Sequence, residues 1–291
     1  MRFTLGLMQT NTVLGDLQAN LDTHLSAIDV ARQQGVDLLC FPELSLTGYY
    51  LKDLAGEVAL RPDPSDPVFS PLLQASRDLD LVVGFVDQHP RHHYMIASAY
   101  LSEGRIAHIH HKCYLPTYGI FDEGRHFAAG NRVQAFDTRF GRVGMLNCED
   151  FWHASMPYLL WADGAELLLL MSASPARGMS SADRFGSSAW VEHVSKAYAN
   201  LFSVYVAHTN RVGLEDGLAF WGGSLLFDPD GEQVAQAPLW DEALVTAEVD
   251  LSQIRRTRLR LPLLRDERFD LTAATLAQII DKQEEAYGHP V

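Results

Sequence analysis

Between residues 16 and 34 the apolar positions Leu17, Leu21, Leu25, Ile28 and Ala31 recur three and four residues apart, and Gly35 follows them. That spacing predicts an amphipathic helix with a glycine stop. Upstream, residues 1–8 form a short apolar run that soon meets Gln9, Thr10 and Asn11 and reads as a first strand. Downstream, Val36-Asp37-Leu38-Leu39-Cys40-Phe41 is closed by Pro42, as expected of a buried strand whose end reaches an edge. Glu43 therefore falls just past a strand end. Similar runs predict strands at 81–86, 95–101, 106–110, 143–146, 167–171, 204–208 and 224–227, and helices at 71–79, 155–162, 182–200 and 271–286. Ser102-Glu103-Gly104 and Asp228-Pro229-Asp230-Gly231 are turn signals joining adjacent strands into hairpins. The fold class is α/β with a mixed sheet. The one proline cluster, residues 62–67, reads as a surface loop, and no low-complexity linker or repeat divides the chain, so one domain over 1–291 is the simplest expectation.

Composition narrows the possible partners. The 291 residues are 47% hydrophobic and 10% aromatic, enough for a large core. A formal net charge of −14 argues against duplex nucleic acid or an anionic membrane as partner, because both reward clustered Lys and Arg. Cys40, Cys113 and Cys148 are too few for a disulfide framework, so reduced thiols in a cytoplasmic setting are expected. The N-terminal run is too short for a signal-peptide core, and the longest apolar run, 167–171, falls far below the ~20 residues of a membrane helix.

Three positions invite chemistry. Cys148, in Asn147-Cys148-Glu149-Asp150-Phe151-Trp152, ends an apolar strand just before a helix, where a helix N-terminus would lower the thiol pKa toward a reactive thiolate. A lone cysteine is more often a buried structural residue, but the flanking acids weigh against burial. Glu43 sits among mostly uncharged neighbours that would suit it to proton transfer, although a loop glutamate in water is the ordinary alternative. Lys112 ends the run Ile106-Ala107-His108-Ile109-His110-His111, where a fixed ammonium would face a developing oxyanion. Taken singly it reads as a solvated surface charge.

Taken together, the segments carrying these residues resemble a known signature. Phe41-Pro42-Glu43-Leu44-Ser45-Leu46-Thr47-Gly48-Tyr49, Lys112-Cys113-Tyr114-Leu115-Pro116 through Tyr118-Gly119-Ile120-Phe121-Asp122-Glu123, and Asn147-Cys148-Glu149-Asp150 are similar in order and spacing to the Glu-Lys-Cys set of the nitrilase superfamily of carbon–nitrogen hydrolases. Ala173-Ser174-Pro175 and the stretch 222–231 extend the likeness over nearly the whole chain. The Tyr-Gly-Ile-Phe-Asp-Glu and Cys-Glu-Asp-Phe-Trp variants most resemble the glutaminase domain of glutamine-dependent NAD synthetases. The resemblance implies a four-layer αββα sandwich of two mixed sheets, assembled as a homodimer or higher homo-oligomer. It implies that Cys148 attacks a small amide with Glu43 as general base, that Lys112 and the backbone N–H of Glu149 stabilise the oxyanion, and that ammonia leaves behind a thioester that water hydrolyses. Glu123 matches the superfamily's second glutamate, which orients substrate and Lys112. Tyr118, Phe121, Glu149, Trp152, Ser174 and Arg177 match substrate-pocket positions, with Glu149 and Arg177 placed to hold the ammonium and carboxylate of an amino-acid amide. The three aromatics serve equally well as packing, and the two charges as a surface salt bridge. No metal or organic cofactor is implied.

Some features depart from that family or point elsewhere. A complete NAD synthetase continues into an ATP-binding domain, whereas this sequence stops at Val291, so the expectation is an enzyme that cleaves a small amide on its own account or hands ammonia to a separate subunit. Nitrilases usually carry Cys-Trp-Glu at the nucleophile, and Cys148-Glu149-Asp150 favours amide over nitrile. His89, His92, His93, His108, His110 and His111 raise a metallohydrolase alternative in which His108 and His110, on one strand face, ligate zinc. A non-catalytic binding or assembly relative is the remaining class. Specificity is expected from loops 49–66 and 176–184.

Overall fold

The computed structural model describes residues 1–90, 93–181 and 184–287. Two six-stranded mixed sheets lie face to face. The first runs in the order Ala243–Asp250, Arg2–Gln9, Leu38–Cys40, Asp80–His89, His93–Ser102, Arg105–His111. The second runs Gln233–Gln236, Leu225–Phe227, Tyr205–Asn210, Leu167–Ser172, Arg142–Asn147, Phe136–Asp137. Each contains a parallel core of three strands flanked by antiparallel ones.

Apolar alternation accounts for the layers. Leu38 and Cys40 face the second sheet while Leu39 and Phe41 face outward, and Val82 and Leu81 divide the same way. In the second sheet Leu167, Leu169 and Met171 point inward and Leu168 and Leu170 outward. Strands buried on both faces read as continuous hydrophobic runs, which is why the stretch 167–171 lacks polar residues. Helices Leu17–Gln33 and Phe69–Ala75 cover the outer face of the first sheet, and Ser155–Ala162 and Gly186–Phe202 that of the second, giving the αββα sandwich.

The expected elements are present, with shifted ends. Asp16 accepts from Ala19 N at 3.0 Å to start the first helix, and Gly35 at φ +69° follows its end. The 71–79 helix instead spans Phe69–Ala75, because Asp66 accepts from Val68 N and Phe69 N to begin it earlier and Ser76 closes it on Leu73 O. The helix expected at 182–200 spans Gly186–Phe202; residues 182 and 183 lie outside the described set. Strand Ala243–Asp250 and the hairpin of Val212–Glu215 with Leu218–Trp221 were not signalled by the apolar pattern. The first is partly exposed and carries Thr246, Glu248 and Asp250 among its apolar residues, so its pairing depends on Arg2–Gln9 beside it. Among the described residues no helix is long and apolar enough to cross a membrane.

Gly84 lies under the Pro42–Glu43–Leu44 turn. A Cβ there would stand 2.4 Å from both Leu44 N and Pro42 O. Backbone on both sides of the contact cannot give way as a side chain would. Gly84→Ala should therefore lower unfolding stability by about 1–3 kcal/mol in urea titration and displace Glu43.

Candidate active site

The ends of several strands bring the site together. Glu43 follows Leu38–Cys40, Lys112 follows Arg105–His111, Cys148 follows Arg142–Asn147, and Ala173 and Ser174 follow Leu167–Ser172. The chain there leaves both sheets at one end, the position where open α/β sheets form their crevices.

Lys112 and Glu43 are fully buried, and Glu123 nearly so. Lys112 Nζ donates to Glu43 Oε1 at 2.9 Å and to Glu123 Oε1 at 2.8 Å. Glu43 Oε2 accepts from Ala173 N at 3.1 Å, and Tyr49 Oη donates to Glu123 Oε1 at 2.6 Å. Burial by itself would drive the Lys112 pKa down, but Glu123 and Glu43 outweigh it and hold the group charged well beyond its ordinary range. Burial, with Glu43 adding repulsion against the pull of Lys112, raises Glu123 to about 7.

Cys148 begins the 3₁₀ turn Cys148–Trp152 at φ +42°, a strained conformation for a residue with a Cβ. The expectation that a helix N-terminus lowers its pKa is corrected here. A five-residue turn offers little dipole, and burial followed by the charge of Glu43 pushes the thiol well above its ordinary value, with Lys112 opposing. Both effects favour the neutral thiol over the thiolate.

Cys148 opens onto a cavity of about 550 Å³. Tyr118, Phe121, Glu149, Trp152, Ser174 and Arg177, all read from the sequence as pocket candidates, line it. Tyr118 Oη donates to Glu149 at 3.0 Å, and the Arg177 guanidinium lies 5.0 Å from the Phe121 ring centroid. Burial raises the Glu149 pKa. Trp190, 66% exposed on helix Gly186–Phe202, completes the rim beside Trp152 and carried no signal in the sequence, because only tertiary packing brings that helix to the cavity.

Loop 49–66 does not line this cavity. Glu215 accepts from Tyr49 N at 3.0 Å and Tyr50 N at 2.6 Å and is itself paired with the buried Arg211, whose Nη2 donates to Thr12 O at 2.9 Å. Tyr49–Asp53 instead line a second cavity of about 540 Å³, with Glu123 and Phe121. Arg177 and Gly178 supply the other expected loop's contribution, while residues 182 and 183 lie outside the described set.

Asp150, absent from the expected set, joins the strand ends that carry Lys112 and Cys148. It accepts from His110 Nε2 at 2.7 Å, Cys113 N at 2.9 Å, Tyr114 N at 2.9 Å and Asn147 N at 3.1 Å. Burial works to raise its pKa, but His110 and these N–H donors outweigh burial and hold it below the ordinary value. Its place directly after Cys148-Glu149 was the available signal. His110 is committed to Asp150, His108 stacks on Phe136 with centroids 4.2 Å apart, and among the described residues no group of three His, Cys, Asp or Glu is placed to hold a metal. His92 lies outside the described set.

The two buried acids should respond oppositely to pH. Glu123 has a folded pKa above its unfolded one, so its cost to stability grows as pH rises from about 4.5 to about 7. The stability of wild type relative to Glu123→Gln should therefore fall between pH 5 and pH 8 in urea titrations. Asp150 has a depressed folded pKa, so its stabilisation is present above the unfolded value and lost as pH falls through the folded one. Asp150→Asn should destabilise by about 3–5 kcal/mol at pH 7, and by progressively less in acid titrations below about pH 4.

Comparison with known proteins assigns the chain to a family. The model of the carbon–nitrogen hydrolase family matches residues 4–259. A glutamine-dependent NAD(+) synthetase of Thermotoga maritima is 32% identical over 265 residues, covering 89% of this chain and 44% of that protein. The chain thus spans less than half the length of that relative. Among solved structures, a carbon–nitrogen hydrolase from Helicobacter pylori G27 is similar with a TM-score of 0.82 at 22% identity, over 95% of this chain and 99% of the other. An amidase from Nesterenkonia sp. AN1, in complex with acrylamide, gives a TM-score of 0.77 at 24% identity over 94% and 97%. With the family model matching most of its length and the buried Glu-Lys-Glu cluster beside a cavity-lining cysteine, the chain belongs to the carbon–nitrogen hydrolase family.

Proposed function

We propose that the protein hydrolyses the side-chain amide of a small amino acid, glutamine or a close analogue, through a Cys148 thioester. The observation that carries this reading is the placement of Cys148 at the wall of a cavity whose two charged side chains are Glu149 and Arg177, with Glu43 and Lys112 behind it. An acid and a base in one pocket match the ammonium and carboxylate of a free amino acid, while the aromatic walls of Tyr118, Phe121 and Trp152 suit its methylene chain. The glutamine dependence named for the Thermotoga relative supports the same substrate class.

In this mechanism Glu43 takes the Cys148 proton as sulfur attacks the amide carbon. The oxyanion is met by the remaining N–H of Lys112 and by the backbone N–H of Glu149, one of the donors left free in the first turn of a helix. Glu43 returns the proton to the departing nitrogen, ammonia leaves, and Glu43 then draws a proton from the water that opens the thioester. Glu123 and Tyr49 hold Lys112 in line. A second reading, delivery of the ammonia to a separate synthetase, draws on the same likeness.

The test is ammonia release from glutamine, asparagine, aliphatic amides, N-carbamoyl compounds and nitriles by wild type, Cys148→Ala and Arg177→Ala. Glutamine-type amides should lead, Cys148→Ala should abolish release, and Arg177→Ala should raise KM about tenfold or more with a smaller change in kcat, as loss of a charged hydrogen bond worth about 1.5–3 kcal/mol predicts. A faster nitrile, or release that survives Cys148→Ala, would reject the reading.

A further inference from the structure

The hairpin of Val212–Glu215 with Leu218–Trp221 belongs to neither six-stranded sheet, yet it touches two flanks of the site. Its turn is Asp216-Gly217, at φ +50° and +81°, the two-residue connection whose twist suits paired strands and fixes their register. In that register Glu215 closes the first strand opposite Leu218, and alternation sends Leu214 outward, 76% exposed, and Glu215 inward. Glu215 Oε1 accepts from Tyr49 N at 3.0 Å and from Tyr50 N at 2.6 Å, while Oε2 accepts from Arg211 Nη1. Arg211 is fixed in turn by donation to Thr12 O at 2.9 Å and by the Phe220 ring, 4.5 Å away. Phe220 also meets the Tyr49 ring edge-on, with centroids 5.9 Å apart. From the second strand Ala219 O accepts from Ala176 N at 2.7 Å and Phe220 pairs with Pro175, beside the pocket residues Ser174 and Arg177.

A buried ion pair is a costly way to fasten a hairpin, since apolar side chains of similar volume would hold it as well. What the carboxylate adds is direction. Its oxygens fix two successive N–H groups and so the path of the chain at Tyr49, and there is no slack before it: a Cβ on Gly48, at φ +82°, would lie 2.9 Å from Glu215 Oε2. Tyr49 Oη donates to Glu123 Oε1 at 2.6 Å, the same oxygen that accepts from Lys112 Nζ at 2.8 Å. A shift of the Tyr49 backbone therefore reaches the ammonium through one intervening side chain. Tyr49–Asp53 also border the second cavity, so packing on that side does not replace the bonds to Glu215.

We propose that Glu215 is a positioning residue for the amide hydrolysis: by holding the Tyr49 backbone it keeps the Tyr49 hydroxyl on Glu123 and, through Glu123, aims the Lys112 ammonium. The inference rests on the activity reading above for the roles of Lys112 and Cys148. Its effect falls on the chemical step rather than on substrate binding. Tyr49 and Glu123 do not line the Cys148 cavity, and the Ala176–Ala219 bond that supports the pocket wall is made by main-chain atoms, which a change of the Glu215 side chain leaves in place.

A double-mutant cycle on the full chain tests this, with Glu215→Gln, Tyr49→Phe and the two combined. Glu215→Asp keeps the charge opposite Arg211 but draws it back from Tyr49, and takes the place of Glu215→Gln if that variant does not fold. In ammonia release Glu215→Gln should lower kcat about tenfold or more with KM held within about twofold. Because Tyr49→Phe removes the hydroxyl through which Glu215 acts, the combined variant should be no slower than the slower single one. The same cycle is read in the rate at which iodoacetamide alkylates Cys148, followed on the Cys148 peptide by mass spectrometry, where each variant should be slower than wild type and the losses again should not multiply. Losses that multiply, a rise in KM with kcat kept, or Glu215 variants as fast as wild type overturn the proposal. If wild type releases ammonia from no amide, the activity reading fails and the alkylation cycle still decides this one. If release depends on Cys148 and the losses multiply, this one fails alone.

Discussion

The buried ammonium of Lys112, held between Glu43 and Glu123, constrains the rest of the structure. Taking a charged amine and two carboxyl groups out of water is costly, and the cost is recovered only when the geometry is tight and the remaining polar atoms find partners. The three side chains come from segments separated by 69 and 11 residues, so their convergence cannot be local. It requires both the parallel strand that ends before Glu43 and the antiparallel strand that ends before Lys112 to stop at one edge of the first sheet. It also requires Ala173, at the end of a strand in the second sheet, to supply the N–H that Glu43 accepts. The face-to-face packing of the two sheets is thereby tied to the position of one ammonium.

Two further acids keep that edge in register. Asp150 gathers N–H groups from the ends of the lysine and cysteine strands and takes His110 as a fourth partner. Glu215, paired with Arg211, fixes the backbone at Tyr49 and Tyr50, and Tyr49 in turn donates to Glu123. The contrast with Glu123 is instructive. Asp150 has a surplus of donors that hold it ionised, whereas Glu123 has Lys112 and Tyr49 but faces the charge of Glu43, which leaves its titration near neutrality. Burial acts on both alike, and partner number and neighbouring charge separate them.

Much of this was legible in the residues, and what was not has a physical reason. Runs buried on both faces, such as 38–41 and 167–171, are strongly apolar and announce themselves. The strand Ala243–Asp250, partly exposed and mixed in polarity, does not, since its pairing is decided by its neighbour. Glu43, Lys112 and Cys148 stood out because each follows a strand end and because their order resembles a known set. Trp190 could not, as its helix reaches the cavity only through packing. The thiol was misjudged for a similar reason. Local sequence suggests a helix terminus, while the charge that dominates Cys148 belongs to Glu43, 105 positions earlier in the same chain.

That misjudgement clarifies how the proposed nucleophile works. A thiolate formed by losing its proton to solvent would add a negative charge to a cluster already holding Glu43, Glu123 and Glu149, with Lys112 alone to favour it. Transfer of the same proton to Glu43 is different. It moves one negative charge from oxygen to sulfur and leaves the net charge around Lys112 unchanged, so the repulsion that raises the thiol pKa is relieved in the same step. Attack on the substrate then moves the charge onward to the carbonyl oxygen, near the ammonium and the first N–H groups of the turn. In the proposed mechanism Lys112 is therefore used twice, first to hold Glu43 as a base and then to receive the charge that Glu43 has displaced, which accounts for its burial between two acids.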